Sequence, residues 1–320
     1  MLAADLSFGR RPAVTALGGG HGLYANLSAL RRITDRLTAV VTVADDGGSS
    51  GRLRKEFDIL PPGDLRMALA ALCGDDSQGR LWAEILQSRF DGNGPLAGHA
   101  IGNLLIAGLW QKVDAVTGLD MVASLLGSRG RVLPMSSVPL EIVADVIGDD
   151  PLHPDEMSTL CGQARVALTT ADVAGIRLIP QDPPAAPESV EAIQEADWVI
   201  LGPGSWFTSV IPHLLVPELA EALVRTRARR VLAMNLSRSG ETSGFTPSRH
   251  LEALAEHAPT LRLDIVLADP RFVADDRHHL EMFASSLGAE LVVADMAMRD
   301  GTARHDPLRL AAAYAEVMGL

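Results

Sequence analysis

The chain has 320 residues, with 28 Lys and Arg against 40 Asp and Glu, a formal net charge of −12. Hydrophobic residues make up 47% of it, enough for a full core, which excludes a disordered chain. The acidic balance excludes a uniform basic footprint, and with it nucleic acid as the main partner. The only two cysteines, Cys73 and Cys161, exclude a disulfide scaffold and a cysteine-rich zinc site, and suit a reducing cytoplasm.

An acid comes early, at Asp5, and Arg10-Arg11-Pro12 precedes no long apolar run, so no secretory signal is expected. Gly92–Gln111 and Trp198–Pro217 each run 20 residues without Asp, Glu, Lys or Arg. Glycine, proline or histidine breaks both, which argues against membrane spans and for ligand-facing loops joined to buried elements.

In chain order, Val14–Leu17 reads as a short strand, glycines follow, and Leu23, Leu27 and Leu30 at helical spacing start a helix. Leu37–Val43 is a near-continuous apolar run, the pattern of a parallel strand buried on both faces. Helical periodicity then recurs at Asp64–Cys73, Leu81–Phe90, His99–Gln111 and Leu119–Leu126. Val138–Ile147 and Arg165–Thr170 are expected to form a strand pair, with Gly175–Ile179 another short strand and Pro180–Pro187 a surface connection. The second half alternates: strands Trp198–Leu201, Arg230–Asn235, Leu263–Leu267 and Glu290–Ala294, and helices Val216–Arg225, Ser248–His257, Arg277–Leu287 and Pro307–Met318, the last with Asp306 as its N-cap. Such alternation predicts an α/β fold, a mainly parallel sheet with helices on both faces. The expected organisation is a tail over residues 1–12, one α/β domain over 13–320, and a helical insertion at about 64–130.

Chemistry is expected where loops follow strands. Gly18-Gly19-Gly20-His21-Gly22 lies between the first strand and helix, where backbone N–H groups and a helix N-terminus can hold an anion. No G-x-x-x-x-G-K-[ST] occurs, so an ordinary P-loop is excluded. Asp45-Asp46-Gly47-Gly48-Ser49-Ser50-Gly51 follows the second strand, where an acid takes a ribose hydroxyl or a hard cation. Asp64 reads as the N-cap of the next helix, and Arg66, poorly placed for the helix dipole, as pointing at a phosphate. His99 and Asn103 share a helix face, with His99 an acid, a base or a structural residue. Gly202-Pro203-Gly204-Ser205, then Thr208 and Ser209, form a third glycine loop after a strand, and Asn235 and Arg304 complete the set, Arg304 as a diphosphate ligand. Gly47-Gly48-Ser49-Ser50-Gly51 formally fits G-x-S-x-G. A nucleophile elbow leads straight into a helix, which the charged Arg52-Leu53-Arg54-Lys55-Glu56 and Pro61-Pro62 argue against, so a serine hydrolase is set aside.

Several segments carry a resemblance: VTALGGGHGLYANLSALRR from Val14, LTAVVTVADDGGSSGRLRKEFDILPPGDLRMALAALC from Leu37, HAIGNLLIAGL from His99, LGPGSWFTSVIPHLL from Leu201, MNLSRSGETSGFTPSRHLEAL from Met234 and ARHDPLRLA from Ala303. Together they resemble the YvcK family, the gluconeogenesis factors. That family is similar in fold to the CofD-type 2-phospho-L-lactate transferases, which join a phospholactyl group from a nucleotide-diphosphate donor to a deazaflavin precursor with magnesium. The resemblance implies a Rossmann-like three-layer α/β/α sandwich. It also implies binding of UDP-sugars such as UDP-N-acetylglucosamine, and a role in morphogenesis and control of wall precursors during gluconeogenic growth. Carried over residue by residue, the nucleotide rests on Gly18, Gly19, Gly20, Gly22, Asp45, Asp46, Ser49, Gly204 and Ser205, with Asn103, Asn235 and Arg304 lining the crevice. Where His21, Tyr24 and Trp206-Phe207 stand, the family commonly has threonine, a smaller residue and Leu-Tyr, and the indole is expected to narrow the sugar subsite.

Three functions follow as expectations. A non-catalytic sensor would bind a nucleotide-sugar and signal through a wall-synthesis partner, with a homo-oligomer left open. A transferase of phosphorus-containing groups would hold magnesium on Asp45 and Asp46. A dinucleotide oxidoreductase ranks last, because it leaves the two later glycine loops unexplained.

Overall fold

The computed structural model describes residues 10–238 and 240–320. The chain opens with β1 (Val14–Gly18), α1 (Gly20–Leu30) and β2 (Leu37–Val41). Five helices follow: α2 (Gly48–Phe57), α3 (Gly63–Leu72), α4 (Ser77–Gln87), α5 (Ile101–Trp110) and α6 (Ala115–Leu125). Next come β3 (Arg131–Pro134), β4 (Glu141–Ile147), β5 (Met157–Cys161), α7 (Gln163–Leu168) and β6 (Asp172–Ile179). Strict alternation returns with α8 (Pro187–Gln194), β7 (Trp198–Leu201), a π-helical turn Trp206–Val210 running into a 3-10 turn Ile211–Leu215, α9 (Pro217–Arg225) and β8 (Arg229–Ala233). The chain closes with a 3-10 turn Gly240–Thr242, α10 (Pro247–His257), β9 (Ile265–Ala268), α11 (Pro270–Val273), α12 (Arg277–Ser286), β10 (Glu290–Val293) and α13 (Pro307–Met318).

The main sheet has seven strands in the order β10-β9-β8-β7-β1-β2-β3, every pair parallel. From β1 the chain winds outward one way through β2 and β3, then returns to β1's other side and winds the opposite way through β7 to β10. The strand order therefore reverses between β1 and β7, and in an open parallel sheet a crevice forms there, beyond the carboxyl ends. The central strands are apolar on both faces, as parallel strands must be: all five residues of β1 and all four of β7 are buried. Leu17, Leu27, Leu30, Val40, Ile200 and Leu201 are fully covered, each side chain worth roughly 1.5–3 kcal/mol in burial. The mainly parallel, doubly wound α/β architecture is the expected one.

Three expectations need correction. Arg165–Thr170 is not a strand: Gln-Ala-Arg-Val-Ala-Leu are helix formers and build α7. The partners of β4 are instead β5 and β6, in a separate antiparallel sheet of order β5-β4-β6 with an irregularity at Asp145/Val146. The loop after β2 does lead straight into a helix, α2, because Pro61-Pro62 falls beyond its end at Phe57. Asp64 is not an N-cap, since Pro62 holds that position and Asp64 lies inside the first turn of α3. No single helix among the described residues is long and apolar enough to cross a membrane.

Candidate functional site

Two adjoining cavities open at the carboxyl ends of β1 and β7. The larger, about 570 Å³, is walled by the start of α1, the loop Pro203–Trp206, the loop after β8 and the segment Ala303–His305. The smaller, about 300 Å³, lies between Gly19–Gly22, Asp45, Asp64, the start of α7 and Ser205–Ser209. His21, Gly22 and Ser205 border both.

The two glycine loops meet at that shared wall. A Cβ on Gly22 would lie 2.4 Å from the Pro203 carbonyl oxygen and 2.6 Å from Gly204 Cα, so only glycine allows this approach. Gly20 opens α1 with φ +57°, the left-handed region that favours glycine. Two asparagines hold the opposing loop: Asn26 donates to the Gly202 carbonyl at 2.7 Å, and the Asn235 amide donates to the Gly204 carbonyl at 2.8 Å while accepting from the Gly204 N–H at 3.0 Å. Asn235 lines the larger cavity, but its amide is committed to shaping the Gly204 turn. Gly18 and Gly202 lie beneath the turns, Gly202 N–H bonding the Leu17 carbonyl at 3.0 Å.

The adjacent aspartates diverge. Asp45 faces the smaller cavity, its Oδ1 accepting from Gly47 N–H at 2.9 Å. Asp46 turns away, accepts from Ala164 N–H at 3.0 Å at the start of α7, and borders neither cavity. The carboxylate brought beside Asp45 is Asp64, whose Oδ2 has no hydrogen-bond partner. Burial, then the Asp45 charge, raises the Asp64 carboxyl to about 7, against the Gly20 N–H and Gln163, which favour its ionised form. Of the two candidate magnesium ligands, Asp45 alone borders a cavity, and the carboxylate beside it is Asp64. No cluster of three or more His, Cys, Asp or Glu forms among the described residues.

Ser49, Ser50, Arg66 and Asn103 border neither cavity. They form a buried network joining α2, α3 and α5. Asn103 Nδ2 donates to Ser49 Oγ at 3.0 Å and to Ser50 Oγ at 3.5 Å, and Arg66 Nε donates to Asn103 Oδ1 at 2.9 Å. Burial, and then Arg89, lower the Arg66 guanidinium to about 10. Ser49 Oγ also lies 3.0 Å from His99 Nδ1, so the elbow holds a serine–histidine contact. Ser49 and His99 are only 3% and 5% exposed, so substrate cannot reach this hydroxyl, and that burial replaces the absence of a helix as the reason against a hydrolase. Arg304 lies on the rim of the larger cavity, mostly exposed, with Nη2 3.1 Å from Asp300 Oδ2. Beside it, burial pushes His305 down to about 4, leaving it neutral at neutral pH. Trp206 is fully buried in the wall of the larger cavity, with its ring edge-on to His250 at 5.1 Å between centroids.

One wall residue escaped the sequence reading. Glu241, 4% exposed, sits in the wall of the larger cavity with Oε1 accepting from Phe207 N–H at 2.9 Å. Burial raises its carboxyl to about 7, against the Phe207 N–H and the Thr208 hydroxyl. In sequence it stands in a Ser- and Gly-rich stretch that reads as solvated loop.

Comparison with known proteins gives this geometry a family. The model for 2-phospho-L-lactate transferase CofD matches residues 14–304, from the first residue of β1 to the arginine on the cavity rim. The chain belongs to the CofD family. Within the family its relatives are gluconeogenesis factors. A putative gluconeogenesis factor of Mycobacterium tuberculosis (strain CDC 1551 / Oshkosh) is 56% identical over 303 residues, 93% of this chain and 88% of that one. A gluconeogenesis factor of Listeria innocua serovar 6a is 35% identical over 308 residues, 92% of each. A solved UPF0052 family protein of Bacillus halodurans superposes with TM-score 0.82 at 33% identity, covering 95% of this chain and 99% of that one. The segment matched by the CofD model contains the switch point and all strands of both sheets.

Proposed function

We propose that this gluconeogenesis factor binds a nucleotide-sugar, a UDP-sugar such as UDP-N-acetylglucosamine, with its diphosphate on the wall between the two cavities. The observation that carries this reading is the contact of the two glycine loops at Gly22 and Gly204, at the one place where the strand order reverses. Backbone N–H groups at the start of α1 favour an anion there. The larger cavity, about 570 Å³, lies within the usual range for small-ligand sites and takes the nucleoside, with Arg304 at its rim. The smaller one takes the group beyond the diphosphate. Bound ligand is read out by a protein partner in wall synthesis during gluconeogenic growth. Free Cys73 and Cys161 suit a reducing compartment for this role.

A second reading rests on a specific pair. Asp45 and Asp64 face the smaller cavity, and the buried Asp64 Oδ2 has no hydrogen-bond partner. Two carboxylates suit a hard divalent cation such as magnesium, which relieves their repulsion and would neutralise a leaving phosphate in a transferase. Thermal melts with UDP-N-acetylglucosamine, with and without magnesium, separate the readings. Ligand at 100 times Kd adds about 2.7 kcal/mol to stability. Stabilisation without magnesium and intact ligand after long incubation supports the sensor. A magnesium requirement with donor breakdown supports the transferase, and no response to any nucleotide overturns both.

A further inference from the structure

From the shared wall at His21 and Gly22, α1 runs on along the larger cavity, and Tyr24 and Ala25 still line it one helical turn later. At this i,i+3 spacing the Cβ atoms of His21 and Tyr24 stand about 5–6 Å apart on one helix face. Beyond the shared wall the cavity gains apolar surface from Tyr24, Ala25, Leu236, Met298, Ala303 and Pro307, none of which borders the smaller cavity. The chain has two tyrosines, and they are placed differently. Tyr314 is fully buried, its hydroxyl enclosed without a partner. Tyr24 is half-buried, packed in part against the core, and among the described residues its hydroxyl is neither bonded nor enclosed. Trp206, the other large aromatic of this wall, is fully covered. Tyr24 is therefore the large aromatic side chain with surface open to a ligand here. It is held firmly, between the close approach of Gly22 to Pro203 and the 2.7 Å bond from Asn26 to the Gly202 carbonyl.

We infer that Tyr24 is the stacking platform for the base of the bound nucleotide. The inference rests on the nucleotide reading above and adds to it the side chain that holds the base. With the diphosphate on the wall at Gly22 and Ser205, the nucleoside extends into the larger cavity along α1, and Tyr24 is the next large side chain on that face. An aromatic ring attracts a planar base whatever hydrogen-bonding edge the base carries. The contact therefore reads planarity, and it selects a nucleoside diphosphate over a sugar phosphate or a bare diphosphate.

Calorimetric titration with UDP and 5,6-dihydro-UDP tests this. The dihydro ligand keeps the hydrogen-bonding groups of uracil and loses the planar ring. Wild type should bind UDP more tightly than the dihydro ligand by about threefold or more, and Y24F, which keeps the ring, should preserve that preference. Y24L and Y24M keep apolar volume on α1. In either one, UDP affinity should fall about 5- to 150-fold and the preference should drop below about threefold. A wild-type preference smaller than about threefold overturns the inference and leaves the nucleotide reading standing, and this arm needs no variant to fold. A full preference in Y24L or Y24M overturns it as well, because another group then holds the base. Loss of the preference in Y24F overturns it too, because the contact then belongs to the hydroxyl. No binding of either ligand to wild type overturns the nucleotide reading itself.

Discussion

Replacing Gly22 with alanine puts a methyl group 2.4 Å from the Pro203 carbonyl oxygen and 2.6 Å from Gly204 Cα. Real Cβ contacts stay beyond 3.0 Å, so the two loops must part by at least 0.6 Å. Both obstacles are backbone, and the Gly204 side is pinned through the Asn235 amide and through Asn26 on Gly202. Rotamer changes therefore cannot relieve the clash. Overpacking of this kind costs about 1–3 kcal/mol. At roughly 2–4 °C per kcal/mol, Tm should fall by roughly 2–12 °C. The larger effect falls on binding, because the shared wall itself is displaced, and affinity for UDP-N-acetylglucosamine should drop about tenfold or more. Gly108→Ala is the control: nothing lies within 4 Å of its Cβ position on α5, so it should bind normally and gain about 0.5–1 kcal/mol of stability. Calorimetry and differential scanning fluorimetry on the two variants read both effects. Wild-type affinity and Tm in Gly22→Ala would refute the convergence of the loops on the ligand.

Arg304→Ala should weaken nucleotide binding by about 1.5 kcal/mol, the low end for a charge-assisted contact, since the side chain is mostly exposed and already paired with Asp300; unchanged affinity removes it from the site. Asp64 carries a pH signature. Its folded pKa is raised from 3.8 to about 7, so its contribution to stability is complete below about 4 and is lost as pH rises through 7. Urea unfolding between pH 4 and 8 should show a stability difference between wild type and Asp64→Asn that falls as pH rises toward 7, and a difference constant across that window would refute the shift. Ser49→Ala should leave ligand binding and any turnover unchanged while costing about 1–3 kcal/mol of stability, because it strips acceptors and a donor from the buried Asn103–His99 network. Lost turnover with intact stability would instead make this serine a reacting group.

The features readable in advance were those encoded by neighbours in the chain. Apolar runs at Val14 and Leu37, followed at once by glycines and acids, are enough to mark parallel strands ending in a ligand crevice. The alternating second half is legible for the same reason. Pairing between distant segments is not. Nothing local to Glu141–Ile147 says that Met157–Cys161 and Asp172–Ile179 flank it, and Arg165–Thr170, expected as a strand, overlaps the helix Gln163–Leu168, whose composition favours that state. The site follows the same division. Gly22 and Ser205 stand in conspicuous glycine loops, whereas Asp64 joins Asp45 only because α3 folds back against α1 and β2, and Glu241 becomes a wall residue only because the loop after β8 covers the turn at Phe207. Asp46 and Ser49 show the converse. Both sit in the most distinctive motif of the chain, and both are spent on holding helices.

The central claim is that a diphosphate lies across the wall formed by Gly22 and Ser205. A crystal structure of the protein with UDP-N-acetylglucosamine tests it most directly. Phosphate density within hydrogen-bond reach of the backbone N–H groups at the start of α1 and of the Gly204–Ser205 turn, with uridine in the cavity bearing Glu241 and Arg304, is the predicted result. A ligand bound away from both glycine loops would contradict it.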